Sequence, residues 1–128
     1  MANPAIISVI DDDPSIRKVL KSLLRSCGWE VHTFASAEDY LSSLQLNDTA
    51  CLISDVQMPG LGGIGLQRVL AARGHSTPVI FITAFPDPQT RRRLLHAGAL
   101  CVLDKPFDDQ TLIQHIDAAL KRSGSLSP

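Results

Sequence analysis

The chain lacks the features that would assign it to several broad classes of protein. No apolar run approaches the roughly 20 residues of a membrane-spanning helix. Met1-Ala2-Asn3-Pro4 has no basic flank and is followed by a short apolar run, so the start does not read as a signal peptide. Cysteine is scarce. Cys27, Cys51 and Cys101 are odd in number and show no CxxC spacing, which fits a reducing, cytoplasmic setting better than a disulfide framework. Cys51 and Cys101 open apolar stretches and Cys27 closes a helical one, so all three read as small core or boundary residues rather than reactive thiols. Neither charge sign is in excess. A net charge of -1 argues against a mainly electrostatic nucleic-acid binder. His32, His75, His96 and His115 are scattered without metal-ligand spacing and read as surface residues. Internal repeats and low-complexity segments are absent, and the glycines from Gly60 to Gly65 lack the following Lys-Ser/Thr pair of a P-loop.

What is present is enough for one domain with a real core: 128 residues, 45% of them hydrophobic. Apolar runs at Ile6 to Ile10, Leu52 to Ile53, Val79 to Ile82 and Leu100 to Leu103 are continuous, as in strands buried on both faces. Trp29 to Phe34 alternates, as a half-exposed edge strand would. Between them lie helical patterns. Pro14 opens one whose stripe is Ile16, Val19, Leu20, Leu23 and Leu24, ended by Gly28. Ser36 and Asp39 cap a short helix expected to reach Leu46. Leu66, Val69 and Leu70 mark a third, ended by Gly74, and a fourth runs from Pro88 to about Ala97. Leu112, Ile113, Ile116, Ala119 and Leu120 mark the last. Five alternations predict a doubly wound α/β fold, a five-stranded parallel sheet covered on both faces by five helices. The expected domain is 1–122, and 123–128 reads as a flexible tail or the start of a linker.

In such a sheet all strand C-termini lie on one edge, where ligands bind. Four of the strands end in polar groups: Asp11 and Asp12, Asp55, Thr83, and Asp104 with Lys105. Each has a bland reading alone. Asp11-Asp12-Asp13-Pro14 would cap the first helix, Asp55 would be a turn residue before Met58-Pro59, and Lys105 a surface lysine. Convergence of all of them on one edge favours a shared pocket. Crowded carboxylates either hold protons or attract a cation, and a hard divalent ion with oxygen ligands fits. Asp12 and Asp55 suit direct coordination of Mg²⁺, with Mn²⁺ as the alternative; Asp11 suits contact through a water, and the backbone carbonyl of Gln57 lies in the loop over the site. An aspartate beside Mg²⁺, a lysine and a threonine hydroxyl is an arrangement for phosphoryl transfer onto the carboxylate.

Asp11-Asp12, Asp55 with Met58-Pro59 and Gly63, Thr83-Ala84, and Lys105-Pro106-Phe107, in this order and spacing, resemble the receiver domain of two-component response regulators over residues 5 to about 120. The resemblance implies the flavodoxin-like strand order 2-1-3-4-5. It further implies that Asp55 accepts a phosphoryl group from a histidine kinase, that Asp11 and Asp12 hold the metal, and that Lys105 pairs with the phosphate. Thr83, followed by Ala84, is then the switch, and Lys105-Pro106 a cis peptide. Ile82-Thr83, Ala97-Gly98-Ala99 and Lys105-Pro106-Phe107-Asp108-Asp109 are most similar to receivers ahead of LuxR-type helix-turn-helix outputs. That implies either the receiver half of a longer transcription regulator or a stand-alone receiver acting by protein contacts. No helix-turn-helix follows within the 128 residues, so no direct nucleic-acid binding is expected of this chain.

Several positions depart from the family pattern. Val102 stands where an aromatic switch residue is usual, Gly62 where a capping Asp or Asn is usual, and Phe85-Pro86-Asp87-Pro88 in place of the common loop. Gln57 and Phe85 occupy the positions that tune phosphate lifetime in the family, and a bulky Phe85 is suited to shield the acyl phosphate. Arg91-Arg92-Arg93 reads as a solvated face or, with Asp104, Asp108 and Asp109, as a dimer contact of the fourth helix, fifth strand and fifth helix. Two other functions use similar parts. A Mg²⁺-dependent phosphohydrolase of the haloacid dehalogenase kind needs a second Asp two residues after the first, where this chain has Gln57. A flavodoxin-like cofactor binder would place phosphate where Asp11-Asp12-Asp13 repels it.

Overall fold

The computed structural model describes residues 4–124. Five strands, β1 (Ile6–Ile10), β2 (Glu30–Phe34), β3 (Cys51–Asp55), β4 (Val79–Thr83) and β5 (Cys101–Asp104), alternate with five helices, α1 (Pro14–Ser26), α2 (Ala37–Leu41), α3 (Gly63–Ala72), α4 (Pro88–His96) and α5 (Asp109–Gly124). All strands pair in parallel in the order β2-β1-β3-β4-β5. The half-exposed strand is at the edge, as its alternation predicts.

Alternate strand residues feed two cores. Ile7, Val9, Ile53, Ile80 and Ile82 pack on one face against Leu20 and Leu24 of α1 and Leu112, Ile116 and Ala119 of α5. Ile10, Leu52, Val79 and Phe81 pack on the other against Tyr40 of α2, Leu66 and Leu70 of α3 and Leu94 of α4. Cys51 is buried and Cys101 half-buried, and burial pushes their thiols up to about 12 and about 11, which keeps them protonated. Both behave as core residues. Cys27 is exposed and its thiol leans on the Leu23 carbonyl.

Three local expectations need correction. The second helix ends at Leu41, not Leu46, because the Ser42 and Ser43 hydroxyls bond back to the Asp39 and Tyr40 carbonyls and compete with helix continuation. Leu44, beyond the helix end, is 88% exposed. Val19 is 63% exposed: three residues along a helix leave the side chain about 60° short of Ile16, on the flank away from Leu20 and Leu24, which face the sheet. Finally, α5 continues through Ser123 and Gly124, and the rest of the expected tail, 125–128, lies outside the described residues.

Gly62 is the N-cap of α3 and offers no side-chain cap. Its φ is -83°, and a Cβ there would meet only the Val56 carbonyl oxygen at 3.5 Å, an ordinary contact. Gly62→Asn is therefore expected to stabilise the fold by roughly 0.5–1 kcal/mol through the added cap and reduced unfolded-chain freedom. Thermal unfolding checks this as a rise of a few degrees in Tm.

Candidate functional site

The acidic run after β1 divides its labour. Asp13 is the N-cap of α1, its carboxylate accepting from the Ser15 N–H at 2.8 Å. Capping therefore accounts for Asp13 and leaves Asp11 and Asp12 for other work. Asp11 is 96% buried: its Oδ1 accepts from the Asp13 N–H at 2.9 Å, and its carbonyl accepts from Arg17 Nη1 at 2.7 Å. One carboxylate oxygen from each of Asp11, Asp12 and Asp55 lies within 4.8 Å of the others. These are hard oxygen donors in a half-open setting, so the donor set fits a small divalent cation that keeps waters in its remaining positions.

Asp55 reaches this cluster from the end of β3, opposite Ile82 of β4. Burial holds its carboxyl above the usual range. Lys105 and the Gln57 backbone N–H pull it down, while Asp11 and Asp12 push it up. Lys105 follows β5, its N–H donating to the Thr83 carbonyl at 2.7 Å, and its Nζ lies 3.7 Å from Asp11 Oδ2. The Lys105-Pro106 peptide is cis, as the resemblance implies. Thr83 is buried at the end of β4, and its Oγ1 donates toward Gln57 Oε1 at 3.2 Å and the Phe85 carbonyl at 3.1 Å while accepting from the Phe85 N–H at 3.0 Å. The hydroxyl is thus held by Gln57 and Phe85, the two positions to which the resemblance assigns phosphate lifetime. Ala84 follows on the exposed side, and the Phe85 ring is 70% exposed, its backbone rather than its bulk touching Thr83.

The raised Asp55 pKa carries a stability consequence. In the window between the ordinary carboxylate value and the raised folded one, the folded state binds more protons than the unfolded chain, so stability falls as pH rises through it. Without metal, the difference in Tm between wild type and Asp55→Asn is expected to widen, in favour of the variant, as pH rises from below the ordinary carboxylate range toward neutrality. Millimolar Mg²⁺ should narrow it. A pH series of melting curves checks both, and a constant difference would contradict the assignment.

Some contacts that build the site have no local signal. Glu38 of α2 accepts from the Leu61 N–H at 3.1 Å across 23 positions and pins the loop after β3. Gly60 there has φ +77°, and a Cβ on it would collide with the Glu38 carboxylate. Gly63 is needed for a different reason: its Cβ would sit 2.9 Å from the Phe81 ring. The only forewarning of Glu38 is an acidic residue in the first turn of a helix, where macrodipole complementarity already explains it.

The arginine run also divides. Arg91 turns to β5, donating to the Val102 carbonyl at 2.6 Å and to Asp104 Oδ1 at 2.8 Å. Val102 is buried, so the place of an aromatic is taken by a small side chain with the Arg91 fork across it. Arg92 and Arg93 face the other way, toward α3. Asp108 accepts from the Thr111 N–H at the start of α5, and Asp109 is exposed beside it. Arg91 and Asp104 thus share one contact, while Arg92 and Arg93 line a groove beside α3. Of the four histidines, His96 is exposed and His32, His75 and His115 are half-buried. No helix among the described residues is long and apolar enough to cross a membrane.

A parallel sheet in this order, with carboxylates, a hydroxyl and a lysine gathered where its strands end, defines a receiver-type signalling domain. The family model described as the response regulator receiver domain matches residues 7–117, and the chain belongs to that family of two-component signalling domains. Nodulation protein W of Bradyrhizobium diazoefficiens is 42% identical over 92% of this chain and 52% of its own length. Transcriptional regulatory protein FixJ of Azorhizobium caulinodans is 38% identical over 91% of this chain and 56% of its own. The crystal structure of a response regulator receiver domain protein from Clostridium thermocellum superposes with a TM-score of 0.88 at 31% identity, covering 95% of this chain and 98% of that one. The chain spans about half the length of the curated relatives it matches.

Proposed function

We propose that Asp55 is the phosphoacceptor of this receiver, taking a phosphoryl group from the phosphohistidine of a sensor histidine kinase. The observation that carries this reading is the gathering of Asp11, Asp12 and Asp55 within 4.8 Å, with Lys105 Nζ 3.7 Å from Asp11. A carboxylate oxygen of Asp55 attacks phosphorus, the O–P bond forms as the P–N bond to the kinase imidazole breaks, and the electron pair leaves with the imidazole. Lys105 pairs with a phosphoryl oxygen, leaving Asp11. Thr83 gives up its bonds to Gln57 and Phe85 and donates to another phosphoryl oxygen. Asp11, Asp12, Asp55 and the Gln57 carbonyl would hold Mg²⁺ or Mn²⁺, which would supply positive charge to offset that of the phosphoryl group.

Release of Thr83 from Phe85 frees the loop that leads into α4, and the α4–β5–α5 face is where the signal leaves the domain, by a phosphorylation-dependent homodimer or another protein contact. Gln57 and Phe85, which hold the Thr83 hydroxyl, set the lifetime of the acyl phosphate. The relatives named as transcriptional regulators support a role in transcription, exerted through an output region in the part of their length this chain does not span, in the cytoplasm. Incubation with acetyl phosphate and Mg²⁺, followed by intact mass measurement, tests the reading: one phosphoryl adduct, absent with EDTA, is expected, and an adduct indifferent to EDTA would overturn the metal-dependent mechanism.

A further inference from the structure

Two helices bring cations together on the side of the sheet away from α1 and α5. Arg68 of α3 and Arg92, Arg93 and His96 of α4 line an open groove of about 560 Å³, with Ala71 and Ala97 as its small apolar residues. Arg68, Arg92 and Arg93 are exposed, and none has an ion-pair partner among the described residues, whereas the neighbouring Arg91 is bonded to Asp104. Asp87 feels the charge of Arg92 but is already bonded to the Gln89 N–H and the Thr90 hydroxyl.

Arg93 and His96 lie in the last turn of α4, where positive charge suits the helix end. That explanation does not extend to Arg68, from the middle of another helix, or to Arg92. A solvated face would spread such charges apart, and here they share one concavity at a cost in mutual repulsion.

We propose that the α3–α4 groove is a docking surface for an acidic segment of a protein partner. Guanidinium forks pair bidentately with carboxylates, and the alanines leave room for apolar side chains interleaved with them. The groove is too open to enclose a small anion as ligand pockets do. No Phe, Tyr or Trp among the described residues lines it to give a broad stacking platform, and the net charge of -1 supplies no long-range field for a phosphate backbone. The groove shares no residue with the Asp55 cluster, so binding to the unphosphorylated chain tests it apart from the phosphoryl chemistry proposed above.

Fluorescence anisotropy with a labelled peptide of alternating glutamate and leucine tests it, beside the same peptide with lysine for glutamate and a single-stranded oligonucleotide of equal length. Binding of the acidic peptide is expected, falling with salt and weakened at least about tenfold in Arg68→Ala/Arg92→Ala/Arg93→Ala. Removing equal charge elsewhere, in Lys18→Ala/Lys21→Ala/Arg25→Ala on the exposed side of α1, should change it less than about twofold. Arg92→Glu alone reads the same surface if the triple variant unfolds, and Asp55→Asn should bind as wild type does. Equal weakening in both triple variants, no acidic-peptide binding, or tighter binding of the oligonucleotide would overturn the proposal.

Discussion

Asp55→Asn is expected to carry no phosphoryl adduct under conditions that modify the wild type fully, and to unfold at a higher temperature in the absence of metal. The two outcomes have one cause. The carboxylate is held above its usual pKa by burial and by Asp11 and Asp12, so its charge is both the nucleophile and a burden on the fold. The amide keeps the shape, discards the charge and has no oxygen able to form a stable acyl phosphate. Intact mass and a melting curve on one sample check both. A variant that is inert but less stable than wild type would mean that the pocket is not crowded with negative charge as described, and an adduct on the variant would move the phosphoacceptor elsewhere.

Lys105→Met is expected to slow adduct formation by roughly 100-fold or more, the scale found when one preorganised charge-stabilising donor is removed from a reacting centre. The methionine keeps the apolar stem, and the Lys105 backbone N–H still bonds the Thr83 carbonyl, so the strand end is unchanged. What is lost is the ammonium that pulls the Asp55 carboxyl down. The same variant should therefore show Asp55 titrating at a higher pH than in wild type, read by carbon NMR of the labelled carboxyl. A large kinetic loss with the Asp55 titration unmoved would separate Lys105 from Asp55 and contradict their sharing one pocket.

Much of this architecture is legible in the residues because buried parallel strands and amphipathic helices differ in period. Ile80 and Ile82 face one core and Val79 and Phe81 the other, and that double burial is what a continuous apolar run records. The strand-end residues are legible for the same reason, since each interrupts such a run. What is not legible depends on contacts between distant positions or on direction around a helix. Glu38 holding Leu61 leaves no periodic trace. Three consecutive arginines look like one charged face, yet successive side chains on a helix point about 100° apart, so Arg91 clamps β5 while Arg92 and Arg93 turn to α3. Val19 and the early end of α2 are smaller instances: a stripe position on its flank, and hydroxyls preferring local carbonyls to another helical turn. The reading of Asp11-Asp12-Asp13 as a cap was right for one residue of the three, and only the geometry says which.

The most direct test of the central claim is where the phosphoryl group sits. Borohydride reduction of the acetyl phosphate-treated chain converts an acyl phosphate to the alcohol, so peptide mass spectrometry is expected to find homoserine in place of Asp55, in the peptide containing Ser54 and Val56, and at no other carboxylate. Homoserine at Asp11 or Asp12, or a phosphoryl adduct that survives reduction with Asp55 intact, would contradict the account.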